Sequence, residues 1–409
     1  MNENLIMKKT ALLLLCGALF MGACQKIEKP ETPSADSGLS GVMVNVDNYA
    51  DRASKLFVLN EGSMGSNNAT LDFLRFPFGQ YITDAFSKMN PSVGAGLGDV
   101  GNDIVVIGDE VWIVVNNSGI VEVISAKDEI EKKAISIPTP RYIANDDKYA
   151  YVTSWAGAFA QYGEDYSLVD FSNPKGAVYR INLNTKQVEG SVEVGYQPEG
   201  IAYYGGKLYV ANSGGIASQL PPSFSYDNTV SIIDAASFNV SATVEVQVNL
   251  KNVYSDGAGK IYVTTLGNYW DVHSGLYMLD ASNPASPQHV SDYVSVSAIY
   301  GDTVYCIGTE TEFDFSGIDH VYSAWTAKNG TKSSLSLSLN HTAPYSIGVL
   351  DENTIFVGEL SVYTYKDPET GQDKWATDYF NPGSVSCYWK GIRAWTVQAG
   401  VCPGHFAIY

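Results

Sequence analysis

Residues 198–212 read Pro198-Glu199-Gly200-Ile201-Ala202-Tyr203-Tyr204-Gly205-Gly206-Lys207-Leu208-Tyr209-Val210-Ala211-Asn212. Two short apolar runs flank a Gly-Gly pair, the pattern of a hairpin whose turn residues take positive φ. Neither run alternates cleanly with polar residues, so both strands are expected to be buried on two faces. After a long loop come Thr229-Val230-Ser231-Ile232-Ile233-Asp234 and then Ala242-Thr243-Val244-Glu245-Val246. The alternation of the last run suits an outer strand with one solvated face. The unit is thus four strands, called A to D, with A innermost.

The B strand of this unit recurs along the chain. A four-residue core with an aromatic at its second position appears as LFVL (56–59), VWIV (111–114), AYVT (150–153), LYVA (208–211), IYVT (261–264), VYCI (304–307) and IFVG (355–358). From Phe57 to Phe356 the six intervals average about 50 residues, the length of a propeller blade. The expected fold is therefore all-β, a seven-bladed β-propeller with four-stranded blades. The terminal Pro403-Gly404-His405-Phe406-Ala407 repeats the A-strand phrase with no B strand after it, while Lys55 to Leu59 is a B strand with no A strand before it. Pairing the two would close the ring inside blade one and remove its open edges.

Composition narrows the function. The chain has 409 residues with 25 basic and 44 acidic side chains, a net charge of −19, which repels phosphate backbones and excludes nucleic acid as a partner. At 45% hydrophobic and 17% charged it is neither disordered nor a multi-span membrane protein. Met7-Lys8-Lys9 precedes an apolar run from Thr10 to Phe20, too short for a permanent span. The run leads into Met21-Gly22-Ala23-Cys24, which resembles a bacterial lipobox, with Cys24 as the lipidated residue. The expected organisation is a lipoprotein signal peptide at 1–23, a flexible tether at 24–45 and the propeller at 46–409. Residues Gln25 to Gly41 are polar and Pro/Ser-rich, as a tether requires. Glu28 and Glu31 resemble the signals that send lipoproteins to the outer face of the outer membrane, so the expected location is lipid-anchored at the cell exterior. Past the tether stand Cys306, Cys387 and Cys402, an odd count without C-x-x-C spacing, which argues against a metal or redox site and leaves a Cys387–Cys402 disulfide open.

Strand polarity puts the B–C and D–A loops on one face. The A–B turns are short, whereas several B–C loops are long and aromatic, and loops gain nothing from exposed rings without a partner. The candidate ligand-binding residues on that face are Asn60, Glu61 and Asn68 of blade one, Arg141, Trp155, Phe159 and Tyr162 of blade three, Phe224 and Tyr226 of blade four, Asn268, Tyr269 and Trp270 of blade five, and Phe315 of blade six. Rings provide stacking surface, and Asn, Arg and Glu provide orientation. No catalytic motif appears, and none of the five histidines lies within metal spacing of another, so neither catalysis nor a metal is expected. His405, on the closing A strand, could face the channel but is expected to be structural. Gly96-Leu97-Gly98-Asp99-Val100-Gly101 fits G-x-G-x-x-G but opens a strand, and reads as a flexible linker between blades. Glu312 to Gly317 reads as a solvated acidic loop rather than a calcium loop.

The phrases Gly206-Lys207-Leu208-Tyr209-Val210-Ala211-Asn212, Val230-Ser231-Ile232-Ile233-Asp234 and Pro198-Glu199-Gly200-Ile201-Ala202 resemble the YncE-like seven-bladed propellers. With Leu59-Asn60-Glu61-Gly62, Asn67-Asn68-Ala69, the lipobox and Pro403-Gly404-His405-Phe406, the chain from about residue 50 onward is most similar to the BtuG-type surface lipoproteins. That resemblance implies noncatalytic capture of cobalamin or a related corrinoid, as ligand rather than cofactor, and its delivery to a TonB-dependent outer-membrane transporter. A surface glycan-binding or glycan-processing propeller lipoprotein is the alternative.

Overall fold

The computed structural model describes residues 41–157, 161–162, 168–170, 174–219, 222–269, 271–310, 321–339, 342–368 and 370–409. Seven antiparallel sheets follow one another around a ring, each with the A, B, C, D order expected from residues 198–246. In blade four these strands are Pro198–Tyr204, Lys207–Asn212, Thr229–Asp234 and Asn239–Glu245. The seven A strands are Pro403–Ile408, Gly101–Ile107, Pro140–Asn145, Pro198–Tyr204, Leu250–Ser255, Val296–Tyr300 and Pro344–Asp351. Each lies against the A strands of the two neighbouring blades, and the last lies against the first, so the ring is closed.

Closure comes from both ends of the chain. Pro403–Ile408 pairs with Lys55–Asn60 in the register Leu56↔Ile408, Phe57↔Ala407, Val58↔Phe406 and Leu59↔His405. Hydrogen bonds from Glu61 N to Cys402 O (2.8 Å) and from Tyr409 N to Lys55 O (2.9 Å) extend the match beyond the strands. Blade one carries a fifth strand outside the other four, Val42–Met43 on Gln80–Ile82, so the sheet takes in residues that the sequence alone assigns to the tether.

The repeat aromatics hold the blades together. Phe57, Trp112, Tyr151, Tyr209, Tyr262, Tyr305 and Phe356 are all buried, and each sits in an apolar layer between two adjacent blades. B strands are sandwiched on both faces, which is why their sequences are continuous apolar runs rather than alternating ones. Burying one such ring contributes roughly 1.5–3 kcal/mol. Glu122 breaks the pattern: it is 3% exposed on the C strand of blade two, between Ile120 and Ile124, and its Oε1 has no hydrogen-bond partner. Burial, then the nearby charge of Glu131, pushes its carboxyl up to about 8.

One expectation needs correction. The Gly96–Gly101 stretch is not a free linker: Leu97 is buried in the core between blades one and two. Asp99 accepts Gly65 N at 2.9 Å and Asn117 Nδ2 at 2.6 Å, and Gly101 N donates to Glu61 O at 3.0 Å. Gly98 is needed there because its φ is +122° and a Cβ would lie 2.5 Å from Ser118 Oγ. The Cys387–Cys402 disulfide that the sequence left open is not formed. Both are free and buried, with Cys387 Sγ donating to Tyr49 Oη and Cys402 Sγ to Tyr379 O. Among the described residues no group of His, Cys, Asp or Glu is arranged to hold a metal ion. Glu312 to Gly317 lies outside the described residues.

Candidate functional site at the axial mouth

All seven A strands begin at the same end of the ring, the end that also carries the B–C loops. Their first residues therefore converge on one mouth. Four of these strands open with proline, and in three of them the residue after it is Arg141, Glu199 or Tyr345; in blade five Lys251 follows Leu250 at the same position. In blade one that position is Gly404, and a Cβ there would fall 2.3 Å from Glu61 Oε1. The glycine leaves room for Glu61 to reach the axis from the end of the adjoining B strand.

These side chains form two linked clusters. In the first, Arg141 Nε and Nη2 donate to Glu199 Oε1 and Oε2 at 3.2 and 2.8 Å, a forked pair with side chains 12% and 5% exposed. Lys251 Nζ lies 3.5 Å from Glu199 Oε2 and 5.3 Å from the centre of the Tyr142 ring. The Trp155 indole N–H donates to Glu199 Oε1 at 3.2 Å, and the Arg141 guanidinium sits 4.5 Å from the centre of the same indole. Burial alone would raise the Glu199 carboxyl, but the charges of Arg141 and Lys251 outweigh it and hold it below the usual range. Burial would likewise lower Lys251, and Tyr142 and Glu199 outweigh that, so the ammonium is retained above its ordinary value.

In the second cluster, Tyr345 Oη donates to Glu61 Oε2 at 2.6 Å, and His405 Nε2 lies 3.2 Å from Glu61 Oε1. His405 Nδ1 is 3.8 Å from Asp103 Oδ1. Burial acts to raise Glu61, yet the hydrogen bonds from His405 and Tyr345 leave it below its ordinary value. Asp103 goes the other way, raised by burial that the His405 charge only partly offsets. The Tyr142 ring meets the His405 ring edge to face at 6.3 Å and joins the clusters. The mouth is thus a ring of donors and acceptors whose side chains are already oriented by one another.

Of the candidates from sequence, Glu61, Arg141 and Trp155 come together here. Asn60 and Asn68 do not. Asn60 is fully buried and donates to Thr70 Oγ1 at 3.0 Å, and Asn68 Oδ1 accepts Ser63 N at 2.8 Å to close its own loop. Asn268 similarly folds its loop, accepting Val272 N at 2.9 Å and donating to Asp271 Oδ1 at 2.7 Å. Tyr226 and Tyr269 meet edge to face at 6.3 Å. Phe159, Trp270 and Phe315 lie outside the described residues, as does Cys24; Tyr162 and Phe224 are placed on strands Gln161–Tyr162 and Pro222–Tyr226 by their backbone alone.

The fold has solved counterparts. A quinoprotein alcohol dehydrogenase-like protein from Bacteroides thetaiotaomicron superposes with a TM-score of 0.52 at 11% identity, over 87% of this chain and 78% of that one. The hydrazine synthase of Kuenenia stuttgartiensis matches at 0.47 and 14% identity, over 64% and 76% of the two chains. The Cps50 (Swd1) β-propeller domain from Myceliophteria thermophila matches at 0.49 and 8% identity, over 83% and 97%. At such identities the likeness concerns the propeller fold alone. No family model matches the chain, and no curated protein matches it.

Sequence reasoning missed Asp103, Glu199, Lys251, Tyr142 and Tyr345 and took His405 as structural. For Glu199, Lys251 and Tyr345 the signal was present as a position: the residue that follows the opening residue of the A strand, usually a proline, is polar with a different identity in every blade but blade one.

The same face carries inserted hairpins in the B–C connections of three blades. They are Gln161–Tyr162 with Leu168–Asp170 in blade three, Gly214–Gln219 with Pro222–Tyr226 in blade four, and Ser361–Lys366 with Asp373–Asp378 in blade seven.

Proposed function

We propose that this protein is a noncatalytic capture module that binds a corrinoid, cobalamin or a relative, on the insertion face. In this reading Cys24 carries the lipid that holds the protein at the outer membrane, and the ligand passes to a TonB-dependent transporter. The observation that carries the reading is the Trp155–Arg141–Glu199 assembly at the axial mouth. It fixes an aromatic surface, a cation and a carboxylate before any ligand arrives. Groups ordered in advance lose little entropy on binding, which favours high affinity. A corrin ring edged with amide arms matches a mouth that presents donors beside acceptors. The acid–base groups are paired with one another, Tyr345 with Glu61 and Arg141 with Glu199, which suits holding a ligand rather than transforming it.

The test is titration calorimetry of residues 30–409 with cyanocobalamin. One-to-one binding tighter than about 1 µM supports capture, and an absence of heat at tens of micromolar overturns it.

A further inference from the structure

In five of the seven blades the residue immediately before the A strand has a positive φ: Val100, Thr139, Gln197, Asn249 and Cys402. Its carbonyl accepts the N–H of the first residue past the B strand of the same blade, which is Asn116, Trp155, Ser213, Leu266 or Glu61 respectively. The joint is therefore part of the fold. In blades one and three, however, the residue it holds is a member of the axial mouth, Glu61 or Trp155.

Blade three adds further constraints to this joint. Thr139 has φ +36° although it is β-branched and precedes Pro140, and both its own Cβ and the proline ring disfavour that conformation. Its carbonyl accepts Trp155 N at 3.2 Å, and its hydroxyl donates to Gly157 O at 3.1 Å. Ser154 Oγ donates to Pro138 O and accepts Ala156 N at 3.0 Å. Residues 154–157 are thus fastened to residues 138–139 on both sides of Trp155. The indole that projects from this clamp donates to Glu199 Oε1 at 3.2 Å, and its ring centre lies 4.5 Å from the guanidinium of Arg141, two residues after Thr139. Glycine would make the same turn without strain, but it could not hold Gly157. A strained residue persists where its surroundings over-determine it, and such residues gather at sites that need a fixed geometry.

We propose that Thr139 is a positioning residue for the axial mouth, holding the Trp155 indole against Arg141 and Glu199 before a ligand arrives. Only the affinity arm of its test rests on the corrinoid reading. Thr139→Val removes the hydroxyl and keeps the branched shape, Thr139→Gly removes both, and Thr139→Ser keeps the hydroxyl. The Trp155 indole N–H is followed by magnetic resonance in residues 30–409 carrying isotope-labelled tryptophan, and is assigned by its loss in Trp155→Phe. Its exchange with solvent should be about tenfold faster in Thr139→Val and Thr139→Gly, and should stay within about twofold of wild type in Thr139→Ser. The indoles of Trp112 and Trp325, buried in other blades, should exchange as in wild type, which a general loosening of the fold would not allow. Cyanocobalamin affinity should fall about fivefold or more in the valine and glycine variants and return in the serine variant. Unchanged Trp155 exchange in the first two variants, equal acceleration in Thr139→Ser, or acceleration shared by Trp112 and Trp325 would overturn the proposal. Faster exchange with unaltered cyanocobalamin affinity would overturn it as well. If wild type binds no cyanocobalamin, the corrinoid reading fails on its own, and the indole exchange alone decides the role of Thr139.

Discussion

Arg141 and Glu199 meet in a forked pair across the joint between blades three and four, with Nε and Nη2 at 3.2 and 2.8 Å from the two carboxylate oxygens. The same carboxylate receives the Trp155 indole N–H and faces Lys251. Glu199→Ala would leave a buried guanidinium uncompensated, and removal of one member of such a pair costs about 3–5 kcal/mol. Urea unfolding should show that loss. Stability within 1 kcal/mol of wild type would mean that the pair is not the strut it is taken to be.

Trp155→Ala removes an indole without stranding a charge, because Arg141 keeps its carboxylate. Stability should change little, whereas the affinity for the captured ligand should fall at least tenfold, as expected for an aromatic anchor worth about 2 kcal/mol. Calorimetry separates the two effects. Unchanged affinity would move the binding surface away from the axial mouth.

Titration should act on two groups in opposite senses. Glu199 is held below its ordinary range by Arg141 and Lys251, so its contribution is intact above about pH 4.3 and is lost as pH falls through the lower folded value. Glu122 is pushed up to about 8 by burial, so the folded state binds a proton that the unfolded state has released, and stability declines as pH rises from about 4.3 to about 8. Glu122→Gln should therefore match wild type near pH 5 and exceed it by roughly 2–4 kcal/mol near pH 9. Parallel pH profiles for the two proteins would contradict a protonated Glu122.

Three buried thiols without a disulfide make a simple chemical prediction. In protein lacking residues 1–24, a thiol reagent should titrate none in the folded state and three after unfolding. A reductant should leave the melting temperature unchanged. A single titratable thiol after unfolding would restore the Cys387–Cys402 bridge.

The fold was largely legible because each blade repeats the same physical problem. A B strand buried on both faces must be continuously apolar, and Tyr151, Tyr209 and Tyr262 mark it at a fixed place. The closing strand could be read from Pro403-Gly404-His405-Phe406 for the same reason. The site was less legible. Glu61, Asp103 and His405 are distant in sequence, and His405 meets the two carboxylates only because the ring closes. The loop asparagines misled for a local reason: an Asn side chain can hold its own turn as readily as a ligand, and Asn68 and Asn268 do the former.

The pairing of Lys55–Asn60 with Pro403–Ile408 also imposes an order of events on biosynthesis. Blade one is the first to be started but is completed only after the other six, because its inner strand is Pro403–Ile408. Until residue 403 emerges, Lys55–Asn60 presents an unpaired backbone edge, open to pairing with any other extended chain. Such a long sequence separation slows folding and lengthens that exposure. A chain cut short before residue 403 therefore keeps an adhesive edge, open to aggregation and proteolysis.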